Sequence, residues 1–166
     1  MKEKMPFTKT QKLLEILSLI VMVSCIIYIC TSWITLPDTL PSHFNALGQP
    51  DDWSGKGTVL VGPIIAFALY ALLTGCMFLP LEWMNSPIEI TPENKLYIHK
   101  VLRDMLSFLK LAIVLIFSYI TICTIELKPL SPWFIPIFLL GTFLPLIVSI
   151  VKLFRYESKD LTNNKY

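Results

Sequence analysis

The stretch ILSLIVMVSCIIYICTSWITLP, residues 16–37, carries no charged side chain. A helix needs about 20 apolar residues to cross about 30 Å of hydrocarbon while satisfying its own backbone hydrogen bonds. This run meets that need, and uncharged runs follow at residues 57–81, 111–125 and 129–151. Composition agrees: of 166 residues, 54% are hydrophobic and 16% charged, and the mean hydropathy is +0.64, too apolar for a soluble domain of this size. The expected fold is an all-α integral membrane protein, with four transmembrane helices and an ordered extracytoplasmic loop between helices 1 and 2. One domain, residues 1–166, holds spans near 13–35, 58–81, 105–126 and 131–153, an outer loop at 36–57, an inner connection at 82–104 and a polar tail at 155–166 that frays.

The third run is short for a span, since about 15 residues at 1.5 Å rise fall below the hydrocarbon thickness. Lys110 therefore sits at or inside the membrane edge. Thr91-Pro92-Glu93 reads as the helix start, with Thr at the cap, Pro at the first helical position and an acid favoured by the dipole.

Cations set the orientation, because loops rich in Lys and Arg stay on the cytoplasmic side. Lys2, Lys4, Lys9 and Lys12 precede the first span. Lys95, Lys100 and Arg103 separate the second from the third, and Lys152, Arg155, Lys159 and Lys165 follow the fourth. The other two connections carry only Lys56 and Lys128. Both termini are expected in the cytoplasm. The net charge of +2 is then a topology signal, and membrane lipid, not nucleic acid, is the partner it implies. The first apolar run is too long, and its end too poor in small residues, for a cleaved signal peptide. Cys25, Cys30, Cys76 and Cys123 all fall within apolar spans, where they read as packing residues rather than as a disulfide or zinc framework.

Residues 33–56, WITLPDTLPSHFNALGQPDDWSGK, concentrate the versatile side chains. Pro37, Pro41 and Pro50 restrict the backbone, Gly48 supplies a turn, and Trp33 and Trp53 suit a membrane interface. His43, Asn45, Asp51, Asp52 and Lys56 could share one pocket, with Lys56 pairing one of the aspartates, and Phe44 adds an aromatic surface. Recognition of an external peptide or lipid fits this mixture best. Mutual satisfaction of these groups in a structural cap is the plain alternative. His43 with the loop aspartates, Asp38 included, also allows a metal-dependent hydrolase, although the spacing is not that of a metal site and no cofactor is expected. Ser42 is a poor nucleophile partner for its sequence neighbour His43.

The order W-x-x-L-P-D-x-L-P-x-H-F-N-x-x-G-x-P-D-x-W-x-x-K, followed by a proline, is carried by Trp33, Leu36, Pro37, Asp38, Pro41, His43, Phe44, Asn45, Gly48, Pro50, Asp51, Trp53, Lys56 and Pro63. It resembles a bacterial membrane domain of unknown function best known from the immunity proteins against the sporulation-delaying (Sdp) toxin, the SdpI-like family. The resemblance covers the first two spans and their connecting loop. It implies a multi-pass protein of the bacterial cytoplasmic membrane with an outward-facing loop. It further implies immunity to a peptide toxin or signalling, in which a cytoplasmic regulator can be held at the membrane. Those immunity proteins carry a further membrane region after this domain, whereas this chain ends after four spans.

Two further features invite function. Lys100, Arg103, Asp104, Ser107 and Lys110 share one helical face, a docking surface for a cytoplasmic partner or an anionic headgroup, opposite Ile98, Val101, Leu102, Met105 and Leu109. The plainer reading makes Lys110 a snorkelling anchor and His99 an exposed helix residue. Glu15 invites comparison with the proton-coupled carboxylate of a small transporter, while Lys12, three residues earlier, offers it a helix-end ion pair. Pro63, Pro132, Pro136 and Pro145 are candidate kinks in spans two and four.

Overall fold

A computed structural model describes residues 6–84 and 86–163. Lys2, Lys4, Asn85 and Lys165 lie outside the described residues. Four helices, α1 (Lys9–Ser32), α2 (Val61–Cys76), α3 (Lys95–Glu126) and α4 (Phe134–Asn163), account for most of the chain. Among the described residues, four helical segments, α2 counted with the 3-10 turn Lys56–Leu60 that leads into it, are long and apolar enough to cross a membrane. The expectation of an all-helical chain fails between the first two: β1 (Thr39–Phe44) and β2 (Pro50–Gly55) form an antiparallel hairpin.

Local chemistry sets the helix ends. Thr8 and Gln11 exchange a capping box, the Thr8 hydroxyl accepting from the Gln11 N–H at 3.2 Å and the Thr8 N–H donating to the Gln11 side chain at 3.0 Å. Asn94 caps α3, three residues after the expected start. Thr91 instead closes the preceding turn, its N–H donating to Asn94 Oδ1 at 2.9 Å. At the far end Leu127 adopts φ 55°, and the Lys128 N–H reaches back to the Cys123 carbonyl at 3.0 Å, a left-handed cap formed without glycine. Pro63 and Pro136 occupy first turns, where proline is tolerated, and Pro132 precedes α4; only Pro145 is interior to a helix. The expected polar tail continues as helix through Asn163.

The bundle is built around α3, against which α1, α2 and α4 each pack, while α1 and α2 touch each other little. Close approach uses small residues. A Cβ on Gly62 would lie 2.8 Å from Thr121 Oγ1, and one on Gly141 would lie 3.3 Å from the Ala112 Cβ, which is how helices draw together where lipid offers no hydrophobic drive. At one end Leu81, Ile88, Ile98, Val101, Leu102 and Leu153 form a cluster. At the other, Leu36, Leu40 and Val59 pack on Cys25 and Ile29 and seat the hairpin. A lone two-stranded hairpin is marginal in water, so this seat holds it.

Candidate functional site

β1 turns Leu40 and Pro41 into the bundle end, whereas β2 is exposed apart from half-buried Pro50. Irregular register around His43 redirects side chains locally, as bulges do. The His43 Nδ1 lies 2.6 Å from an Asp51 carboxylate oxygen, and the Ser42 hydroxyl donates to Asp52 at 2.9 Å. Ser42 and His43 thus engage separate aspartates. Pro41 faces Trp53 across the strands, and Trp53 is exposed. Asn45 serves the turn: its side-chain oxygen accepts from the Leu47 and Gln49 N–H groups at 2.9 and 3.0 Å, an Asx-type arrangement. Gly48, at φ 76°, closes the tip, and its carbonyl accepts from the Leu130 N–H at 2.7 Å, tying the hairpin to the α3–α4 connection. Pro37 and Asp38 are exposed on the way into β1.

Beneath the hairpin lies a cleft of about 250 Å³ between β1, α2, α3 and Phe134 of α4, with Ser42, His43, Phe44, Thr121 and Phe117 among its lining. His43 and Phe44 therefore reach one pocket. Among the described residues Lys56 pairs with no aspartate: its ammonium lies 5.2 Å from the Trp33 ring centre. The other cation on this side, Lys128, sits 2.7 Å from Glu126, whose carboxylate holds the Lys128 ammonium above its usual range through a hydrogen bond and direct attraction. Among the described residues, no three His, Cys, Asp or Glu side chains converge as metal ligands.

A second cluster lies toward the opposite end. Glu15 of α1 makes no helix-end pair with Lys12; its two carboxylate oxygens lie 2.6 and 2.7 Å from the Lys110 ammonium of α3. The Tyr70 hydroxyl donates to Glu15 at 2.6 Å and the Ser107 hydroxyl at 3.4 Å. Lys110 also donates to Thr74 Oγ1 at 3.0 Å and lies 4.6 Å from the Tyr70 ring centre. Lys110 is 1% exposed, so it is a buried partner and not a snorkelling anchor. Arg103 also turns inward, donating from Nε to the Met77 carbonyl at 3.3 Å and lying over the Phe7 ring. Asp104 accepts from the Gln11 amide at 2.7 Å, and His99 is buried. Of the expected docking face, Lys100 alone stays exposed, because α3 spends the others on helix contacts. Tyr70, Thr74 and Gln11 were not legible as site residues; a cation in an apolar run was the one hint that partners had to exist.

Residues 20–67 match the family model of a domain of unknown function, DUF1648. The DUF1648 segment takes in the second half of α1, the hairpin and the start of α2, and leaves Glu15, Tyr70 and Lys110 outside. An uncharacterized protein of Archaeoglobus fulgidus is 34% identical over 76 residues, a match covering 44% of this chain and 42% of that protein. The chain thus matches well under half the length of that relative. No solved structure matches.

Proposed function

We propose that the chain is a non-enzymatic, multi-pass protein of the bacterial cytoplasmic membrane that recognises an external ligand through the DUF1648 hairpin, in toxin-peptide immunity or envelope sensing. Both termini face the cytoplasm and the hairpin faces out, on the strength of the cation distribution. The observation that carries this reading is the cleft under the hairpin, lined mostly by apolar side chains with Ser42, His43 and threonines among them, the mixed character of a small recognition site. Exposed Trp53 and the His43–Asp51 pair extend a contact surface beyond it. The SdpI-like resemblance supplies the ligand class, a membrane-active peptide.

The test is survival of a sensitive Gram-positive host exposed to a panel of such peptides, with the intact chain or with His43→Ala or Trp53→Ala at matched expression. Protection by the intact chain that either variant loses is expected. Protection that both variants retain overturns the hairpin assignment, and no protection against any peptide overturns immunity.

A second reading, a small proton-coupled transporter using Glu15, is favoured by the buried Glu15–Lys110 pair, since ionisable residues within a span mark ion and proton paths. It requires Glu15→Gln to abolish proton movement in proteoliposomes.

A further inference from the structure

Between α1 and α2, in the half of the bundle nearer the hairpin, lies a groove of about 390 Å³. Met22, Cys25 and Cys30 belong to its α1 wall, Leu60 and Phe67 to its α2 wall, and Ser118 of α3 lies behind. All of its lining except Ser118 falls within the DUF1648 segment. The groove exists because α1 and α2 both lean on α3 and barely on each other.

From Met22 to Cys30 the groove runs about 12 Å along α1 at 1.5 Å per residue. One leaflet of a hydrocarbon core of about 30 Å is about 15 Å deep. The groove therefore has the length of a single leaflet. Trp33, three residues beyond Cys30, and Lys56, four residues before Leu60, meet just past the lining at the groove's hairpin end, where a headgroup at its mouth would reach them. Lys56 has no carboxylate partner among the described residues, although three aspartates lie in the same connection; Asp51 is engaged by His43 and Asp52 by Ser42. The Trp33 ring fixes the direction of the ammonium, and three N–H donors serve it.

We propose that this groove is a phospholipid site, with one acyl chain between α1 and α2 and the phosphate diester on Lys56. It rests on the reading that the four helices span a bilayer. An acyl chain gains little by leaving surrounding lipid for a groove of Leu, Ile and Cys side chains, because lipid tails are as apolar as those residues. Selectivity therefore comes from the mouth, where an ammonium that forms no salt bridge among the described residues meets an anionic oxygen in a charge-assisted hydrogen bond. Lys128, neutralised by Glu126, offers no equivalent.

Native mass spectrometry of the detergent-purified full chain tests this, with phosphatidylglycerol, phosphatidylethanolamine and a diacylglycerol of the same chains as probes. One molecule of either phospholipid per chain is expected, retained about tenfold more tightly than diacylglycerol. Lys56→Gln brings phospholipid down to the diacylglycerol level, Lys56→Arg keeps it, and Lys128→Gln changes nothing. Cys30→Trp, which fills the upper groove at an exposed position, lowers retention of all three. Equal retention of diacylglycerol, full retention by Lys56→Gln, equal loss in Lys128→Gln, loss in a folded Lys56→Arg chain, or no lipid on the folded intact chain overturns the proposal. Extraction of the protein from membranes by alkaline carbonate would instead overturn the spanning reading beneath it.

Discussion

Glu15 of α1 and Lys110 of α3 meet at 2.6 Å, and Tyr70 of α2 closes the same contact from the third helix. The pair ties three helices together at a depth where neither charge is cheap alone. Removing one partner of a buried pair leaves an uncompensated charge and typically costs about 3–5 kcal/mol, whereas replacing both by apolar groups of similar volume is often neutral. Lys110→Met and Glu15→Leu are each expected to lower the unfolding midpoint in detergent, and the double variant is expected to recover most of the loss. Additive losses in this double-mutant cycle would show that the two side chains act independently.

Gly48 is the only glycine among the described residues at positive φ, and a Cβ there would lie 2.7 Å from the Leu130 carbonyl oxygen. Gly48→Ala thus meets a backbone penalty of about 1–2 kcal/mol and also breaks the seat of the hairpin on the α3–α4 connection. Faster protease cleavage within residues 39–55 is the expected readout. Gly55→Ala, with nothing within 4 Å of its Cβ, is expected to cleave like the parent.

The four long apolar helices were legible because uninterrupted hydrophobic runs have few other uses. The hairpin was not: Pro41 and Pro50 read as backbone restraints, Gly48 as a turn and Asn45 as a pocket amide, and the strands are seen only once Leu40 and Val59 are known to share a core with Ile29. The same limit hid the partners of the charges. Lys12 and the loop aspartates were the nearest opposite charges in sequence to Glu15 and Lys56, yet Glu15 finds Lys110 and Lys56 finds the Trp33 ring. Helical periodicity put Lys100, Arg103, Ser107 and Lys110 on one face, and of these the structure buries all but Lys100. Which of those side chains that face would bury depended on α1 and α2, whose positions the period of one helix does not contain.

Orientation can be checked directly. Lys and Arg cluster beside the α1 N-terminus, the α2–α3 connection and the α4 C-terminus, and this excess resists translocation. In a chain whose native cysteines are replaced by Ser, a membrane-impermeant maleimide added to intact cells is expected to label Ser54→Cys, an exposed β2 position. Lys100→Cys is expected to label only after permeabilisation. The reverse pattern would invert the topology and put the hairpin cleft inside the cell.

Gly62 tests how tightly the fold holds α2 against α3. Its missing side chain leaves room for Thr121 Oγ1, which donates to the Phe117 carbonyl at 2.8 Å and so is held in place by its own helix. Gly62→Ala must therefore push the helices apart rather than rotate a free hydroxyl, a strain of about 1–3 kcal/mol for overpacking in a closely packed contact. Thr121→Ala removes the obstructing oxygen and is expected to restore most of the thermal stability lost by Gly62→Ala, while Gly75→Ala, with open space at its Cβ, leaves it unchanged. If Thr121→Ala fails to rescue Gly62→Ala, the close approach of α2 to α3 is not what that glycine provides.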